Sequence, residues 1–205
     1  MLALFNSINS AVCGALGINT YLQGVIIMVC INTIAVLGMS VLTGFTRLFS
    51  FGNAGFMSIG AYTAAILTVK FNVNFLLAII LGALFAGFIA FLLGSITLRL
   101  KGDYFLITCL GFGECVRVLF NYTKNITGGS AGYPGIPAYS NALFSLVCVV
   151  LAFFAAWRFI HSKYGRNLTS IRENEMAAEA VGINAFRVKR MSFVFSAIYA
   201  GWAGA

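Results

Sequence analysis

The sequence contains little charge. Asp, Glu, Lys and Arg make up only 9% of its 205 residues, whereas about a quarter of an ordinary soluble domain is charged. Hydrophobic residues account for 60%, more than a water-soluble fold of this size could bury. A bilayer core about 30 Å thick requires about 20 mostly apolar residues per spanning helix. Several such runs follow one another here, so the composition predicts a membrane-spanning protein.

Residue types that carry catalysis are also scarce. His161 is the only histidine, Asp103 is the only aspartate, and no G-x-x-x-x-G-K-[ST] phosphate loop occurs. The sequence shows no catalytic constellation, no metal-ligand set and no cofactor motif. We therefore expect a protein that is not an enzyme and needs neither a metal nor a cofactor. If it uses nucleotide energy, another chain supplies that energy.

Hydropathy predicts five complete spanning helices and the beginning of a sixth. The five predicted spans cover residues 21–45, 52–69, 75–98, 104–120 and 141–159. The sixth begins near Met191 and reaches Ala205 after about 14 residues, or about 21 Å, which is too short to cross. We therefore expect an all-α polytopic bundle, with residues 1–205 forming one transmembrane domain of a longer protein.

The segment before the first span gives two readings. Residues 1–20 are moderately apolar but contain three asparagines, so they lie at the outer interface or are the remnant of another helix. No lysine or arginine precedes Arg47, and the positively charged start of a cleavable signal peptide is therefore missing. We expect the first span to direct insertion itself.

The net charge of +8 reports membrane orientation, because the basic residues lie between the apolar runs. We set Arg117 aside because it lies within a span. Ten of the remaining basic residues lie on one side of the membrane, and only Lys70 and Lys124 lie on the other. The basic side is predicted to be cytoplasmic, with an external N-terminus and residues 161–190 inside, and no nucleic-acid partner is expected. The basic side holds Arg47, Arg99, Lys101, Arg158, Lys163, Arg166, Arg172, Arg187, Lys189 and Arg190.

Two spans contain patterns that bear on packing or transport. Small residues recur every four positions in the third span, which predicts a smooth face for close helix packing. These are Ala78, Gly82, Ala86, Ala90 and Gly94. In the fourth span, Glu114 and Arg117 share one helical face beside Gly111 and Gly113, which favour a helix that bends. Intramembrane charges are costly unless they are paired or face water. The pair therefore lines a polar pathway or forms a structural salt bridge near the outer end.

The 161–190 segment contains a predicted helix. Ser170 and Glu173 match a capping box, and the Glu-, Met- and Ala-rich run that follows favours helix until Gly182. An amphipathic membrane anchor would have a large apolar face and a basic face. Because residues 173–181 are small and acidic instead, the pattern favours insertion into a groove on a soluble protein partner.

Several motifs together carry a resemblance. They are Leu48-Phe-Ser-Phe-Gly-Asn-Ala-Gly-Phe-Met-Ser-Ile-Gly-Ala-Tyr-Thr-Ala-Ala65, Leu98-Arg-Leu-Lys-Gly-Asp-Tyr-Phe105, Gly111-Phe-Gly-Glu114, Thr127-Gly-Gly129 and the 164–190 loop. From about residue 20 onward, the sequence resembles the permease subunits of branched-chain amino acid ABC importers of the Liv-M type.

The resemblance implies a docking role for the inner loop. In that family the loop couples the permease to an ATPase, which assigns the role here to Arg172, Glu173, Glu175, Ala177, Ala178, Glu179 and Gly182. The broader motif is E-A-A-x-x-x-G. Here it reads Met176-Ala177-Ala178-x-x-x-Gly182, with Glu175 one residue early. The translocation pathway is assigned to Asn53, Gly111, Gly113, Glu114 and Arg117. Asn53 stands where relatives often have histidine, so we expect no proton-linked role there.

The resemblance also implies partners and a cargo. It predicts a second permease subunit, two cytoplasmic ATP-binding subunits and an external substrate-binding protein, assembled in the cytoplasmic (inner) membrane. The expected cargo is leucine, isoleucine or valine, and urea or another amino acid is the alternative. A stand-alone channel or secondary carrier is the rival from another class, and it would need neither an ATPase nor a coupling loop.

Overall fold

A computed structural model describes residues 19–46, 48–100, 103–129, 132–133 and 141–205. The prediction for the N-terminal segment lies almost wholly outside these residues. The helices, in chain order, are α1 (Thr20–Thr46), α2 (Asn53–Phe71), α3 (Phe75–Thr97), α4 (Asp103–Tyr122), α5 (Lys124–Thr127), α6 (Ala142–Ile160), α7 (Lys163–Glu173), α8 (Glu175–Ala180) and α9 (Ala185–Gly204). The described ranges contain no strand, and the predicted all-α class is confirmed.

Five of these helices are long and apolar enough to cross a membrane: α1, α2, α3, α4 and α6. They coincide with the five predicted spans to within a few residues. Asn72 closes α2 in a left-handed conformation, with φ of 49° and ψ of 33°. Its backbone N–H donates to the Leu67 carbonyl oxygen. Asparagine tolerates this conformation better than most residues, so the turn into α3 can be tight.

The predicted start of the sixth span was wrong. Helix α9 begins at Ala185, six residues before Met191, and contains 20 residues. Asn184 caps it, because its side-chain oxygen accepts a hydrogen bond from the Arg187 backbone N–H at 3.0 Å. Basic residues in the first turns of α9 lower its hydropathy there, and the hydropathy pattern therefore indicates a loop. Their long side chains can nevertheless reach water from a helix that enters a membrane.

Helix α9 lies in the centre of the bundle, against α1, α2 and α3. Cβ atoms placed on Gly94, Gly87 and Gly82 of α3 would meet Phe193, Ile198 and Ala205 respectively. Because this order is reversed along α9, the two helices run antiparallel. The small-residue face predicted in α3 is confirmed as a packing face. Its members Ala78, Gly82, Ala86, Ala90 and Gly94 are all buried.

Three glycines allow α2, α3 and α9 to approach at backbone distance. A Cβ atom on Gly60 would collide with the Gly201 carbonyl oxygen, and one on Gly82 would lie 2.9 Å from the Gly60 carbonyl oxygen. No side chain fits between these backbones. In lipid, where the hydrophobic effect does not drive helices together, such close contact is a main source of association.

Candidate functional site

The 161–190 segment folds into two short helices that are separated at Asn174. The Ser162 side chain caps α7, and Asn174 caps α8 by accepting a hydrogen bond from the Ala177 N–H at 3.1 Å. The predicted capping box was wrong. Ser170 lies inside α7, and its hydroxyl donates to the Arg166 carbonyl oxygen at 3.2 Å. The chain is already helical from Lys163, and the extended backbone of Asn174 restarts it.

Gly182 terminates α8, as predicted. Its φ of 89° is in the left-handed region, where a side chain is strained. The Gly182 N–H donates to the Glu179 carbonyl oxygen at 2.9 Å, and the Ile183 N–H donates to that of Ala178 at 3.0 Å. This pair of bonds is the Schellman arrangement that closes helix ends.

The inner face of α8 is attached to the bundle through Ala178, which is 5% exposed. We call its buried neighbours the anchor cluster, and these come from both flanking helices. They are Leu168 and Ile171 of α7, and Ala185 and Val188 of α9. Phe45 at the end of α1 and Phe159 at the end of α6 pack against the cluster. Through this cluster, helix α8 is linked to α9 and to the ends of the spans α1 and α6.

The outer face of α8 combines acidic and apolar side chains. Glu175, Ala177 and Glu179 are exposed, as are Met176 at 85% and Val181 at 82%. Sequence reasoning did not select Met176 or Val181, although apolar residues in a short acidic helix are the available signal. It did include Ala178, whose side chain faces the bundle. An apolar centre with a charged rim is typical of protein interfaces.

Two polar contacts tie the loop helices to the spans. Glu175 of α8 pairs with Lys189 of α9, with 2.6 Å between Oε1 and Nζ. Arg172 donates from Nη1 to the Gly44 carbonyl oxygen in the last turn of α1, at 3.3 Å. A cation near that carbonyl end also opposes the helix dipole. The exposed Arg172–Glu173 pair, at 3.3 Å, contributes little.

Clefts of about 380 and 560 Å³ flank α8. Glu175, Met176 and Lys189 line both clefts. The larger cleft also reaches Leu98 and Arg99, at the end of α3. The exposed residues of α8 therefore lie between two clefts, and a partner surface could contact α8 and enter both clefts.

A separate groove of about 470 Å³ lies between α2 and α4. Its lining includes Ser58 and Tyr62 of α2, and the Glu114–Arg117 pair of α4. The carboxylate and guanidinium approach to 3.6 Å, with the side chains 58% and 72% exposed respectively. The described part of the chain leaves both side chains of the pair exposed. Charges on a spanning helix are tolerated when they are paired or face water, and the pair in this groove is consistent with a polar pathway or a structural salt bridge.

The predicted pathway residues are only partly brought together. Gly113 joins Glu114 and Arg117 in the groove lining, whereas Asn53 and Gly111 lie outside it. Helix α4 is uninterrupted through both glycines. Close packing of α2 on α4 depends on Gly55, because a Cβ atom there would lie 3.1 Å from the Gly113 Cα atom, whereas a Cβ atom on Gly113 would approach only Gly52, at 4.0 Å. Within the described ranges, no three His, Cys, Asp or Glu side chains gather as a metal site would require.

Residues 21–205 match the family model described as "Branched-chain amino acid transport system / permease component". The high-affinity branched-chain amino acid transport system permease protein LivM of Salmonella typhimurium is 34% identical over 211 residues, covering 86% of this chain and 50% of its own length. Its Escherichia coli counterpart is 34% identical over 202 residues, covering 82% and 48%.

A third relative is archaeal. The probable branched-chain amino acid transport permease protein LivM of Methanocaldococcus jannaschii is 32% identical over 130 residues, covering 56% of this chain and 38% of its own length. The chain thus spans about half the length of the two bacterial relatives. No solved structure matches it significantly.

Proposed function

Because the chain belongs to the family of permease components of branched-chain amino acid transport systems, we propose that it forms the membrane-spanning subunit of an ABC importer for leucine, isoleucine and valine. The names of the relatives support this choice of cargo. Urea or another amino acid is the competing cargo. Binding and uptake measurements on the assembled transporter distinguish these cargoes.

The proposed assembly sits in the cytoplasmic membrane with a second permease subunit, two cytoplasmic ATP-binding subunits and an external substrate-binding protein. The charge distribution supports an external N-terminus. Arg99 follows α3, Arg158 ends α6 and Lys163 begins α7, all on the side assigned to the cytoplasm. Lys70 at the end of α2 and Lys124 in α5 lie on the other side.

The outer face of α8 is the proposed docking surface for an ATP-binding subunit. Met176 and Val181 provide exposed apolar area, and Glu175 and Glu179 provide a charged rim. Methionine adapts its shape to a partner surface more easily than branched side chains do. The two clefts beside α8 offer room for the partner's side chains.

One observation carries the coupling role: α8 is packed onto the beginning of the central helix. Ala178 contributes to the same buried cluster as Ala185 and Val188, in the first turns of α9. Helix α9 in turn packs against α1, α2 and α3. A movement of α8 that follows ATP binding would therefore displace the helix at the centre of the bundle.

The α2–α4 groove is the proposed part of the translocation pathway, with Gly113, Glu114 and Arg117 in its wall. Asn53 and Gly111 are proposed for the same pathway outside this wall. The exposure of the ion pair supports the groove, because lipid contact would cost about 2.5 to 3.5 kcal/mol for each charge on insertion scales. The described lining of the groove comes from α2, α4 and Phe51 before α2, and the second permease subunit is its proposed opposite wall.

Charge reversal at Glu179 tests the coupling role. Glu179→Lys should abolish ATP-dependent uptake by the assembled transporter without reducing membrane insertion, because it places a cation on the docking surface. Ser170→Lys adds a cation on exposed α7 and should keep uptake. Wild-type uptake by Glu179→Lys would favour a stand-alone channel or secondary carrier.

Thiol labelling tests the groove. With the native cysteines replaced by alanine, because Cys115 is itself exposed, Ser58→Cys should react with a membrane-impermeant maleimide in the assembled transporter, since a pathway admits water. Phe88→Cys, at an exposed apolar position on α3, should stay unreactive. If both positions are equally unreactive, the groove is not a water-accessible pathway.

A further inference from the structure

Arg190 extends from the second turn of α9 across the end of α3. Its stem packs on Gly94, with Cγ 3.6 Å from the position that a Cβ atom there would take. Its Nη1 donates a hydrogen bond to Ser95 Oγ at 3.2 Å. The side chain is therefore held in one place on the seam between α3 and α9.

Two aromatic rings flank the guanidinium of Arg190. Its Cζ atom lies 4.5 Å from the ring centroid of Phe91 and 5.6 Å from that of Phe186. The face of an aromatic ring attracts a cation that lies over it. The two rings do not provide acceptors for the N–H groups in the guanidinium plane. The rings thus fix the position of the charge and leave its hydrogen-bonding capacity available.

Among the side chains that the structure describes, which do not include that of Asp103, no carboxylate pairs with Arg190. A guanidinium carries five N–H donors, and the described part of the chain gives Arg190 one hydrogen bond, to Ser95. Its Nε is enclosed without an acceptor. The described ion pairs belong to Arg117, Arg172 and Lys189. The described side chains thus leave the charge of Arg190 open to a further anionic partner.

The surroundings of Arg190 indicate which kind of anion this is. Phe88 and Leu92 are exposed apolar residues on α3, and helical spacing places them on the same side as Ser95. Arg99 and Arg187 are exposed basic residues at the same end of the seam. An apolar surface that leads to a positioned cation and two exposed ones complements an acyl chain that leads to a negatively charged headgroup.

We propose that Arg190, positioned by Ser95 and Phe91, binds the phosphate of an anionic phospholipid at this end of the α3–α9 seam. Arginine matches phosphate with paired N–H bonds, and basic pockets between membrane helices bind anionic headgroups. The bound lipid would neutralise Arg190 and cover the seam. This proposal concerns a lipid and does not rest on the transport role.

Native mass spectrometry of the full chain tests the site. The chain is titrated in detergent with phosphatidylglycerol, and in parallel with phosphatidylcholine. Arg190→Lys keeps the charge but loses the paired N–H geometry, so phosphatidylglycerol should bind about ten-fold more weakly. Arg158→Lys, the same change at an exposed position in the last turn of α6, should alter binding less than about two-fold.

A second variant guards against a folding defect. Phe91 is 40% exposed, so Phe91→Leu should fold normally and weaken phosphatidylglycerol binding about three-fold through loss of the cation–π contact. Unchanged binding in both Arg190→Lys and Phe91→Leu would overturn the proposal, as would equal losses for phosphatidylcholine. Displacement of the lipid by millimolar inorganic phosphate would instead assign the site to soluble phosphate and overturn the lipid assignment.

Discussion

At the scale of single residues, Ala177 and Ala178 show that neighbouring, identical side chains can face opposite surroundings. Ala178 is buried in the anchor cluster, whereas Ala177 is exposed on α8. The E-A-A pattern indicates a docking segment but not which alanine faces the partner. That depends on the neighbours that α7 and α9 bring to α8, and these contacts are not local in sequence. The same limit explains why Met176 and Val181 were not selected.

Enlarging each alanine in turn tests this division. Ala178→Leu should lower the free energy of unfolding by about 1–3 kcal/mol, because added methyl groups do not fit a packed cluster. Ala177→Leu should change it by less than about 0.5 kcal/mol, as exposed substitutions usually do. Thermal unfolding of the purified chain measures both. Equal destabilisation by the two variants would contradict the assigned orientation of α8.

At the scale of elements, the spanning helices could be predicted because each requires a long apolar run and little else does. The short elements could not be predicted with the same accuracy. Helix propensity is high on both sides of Asn174, so only the hydrogen bond from the Ala177 N–H reveals that α8 begins there. The start of α9 was hidden because Arg187, Lys189 and Arg190 lower the hydropathy of a segment that is nevertheless helical.

The two candidate caps of α8 can be separated by hydrogen exchange. Asn174→Ala should increase the exchange rate of the Ala177 amide about five-fold, since loss of an N-cap costs about 1 kcal/mol. Ser170→Ala should leave that rate unchanged, because Ser170 bonds only within α7. A capping box at Ser170 would instead protect the Glu173 amide, so faster exchange of that amide in Ser170→Ala would restore the box that the sequence suggested.

At the scale of the whole molecule, the bundle is organised around α9 rather than around its most apolar helix. Helix α3 has the highest hydropathy of the candidate spans, and much of its apolar surface is exposed. Helix α9 is not among those candidates, yet ten of its residues are buried. Hydropathy finds the segments that tolerate lipid. Small residues identify the helical segments that pack closely against other helices.

Glycine substitutions test this organisation. Gly60→Ala should lower the stability of the bundle by about 1–3 kcal/mol, because the new methyl group meets the Gly201 backbone. Gly24→Ala places its methyl group in open space and should be neutral or stabilise by up to about 1 kcal/mol through helix propensity. The melting temperatures of the two variants in the same detergent measure the difference. A melting temperature for Gly60→Ala at or above that of the wild type would contradict the close approach of α2 and α9.

The glycine contacts among α2, α3 and α9 have a mechanical consequence. Interdigitating large side chains must change rotamer before one helix can shift along another. Where the backbones meet at Gly60, Gly82 and Gly201, no side chains interdigitate. We therefore expect the glycine contacts to offer less steric resistance to a small shift of α9 than the contacts of Phe193 and Ile198 with α3 do. These glycine contacts would therefore ease a movement of α9, the helix to which α8 is attached.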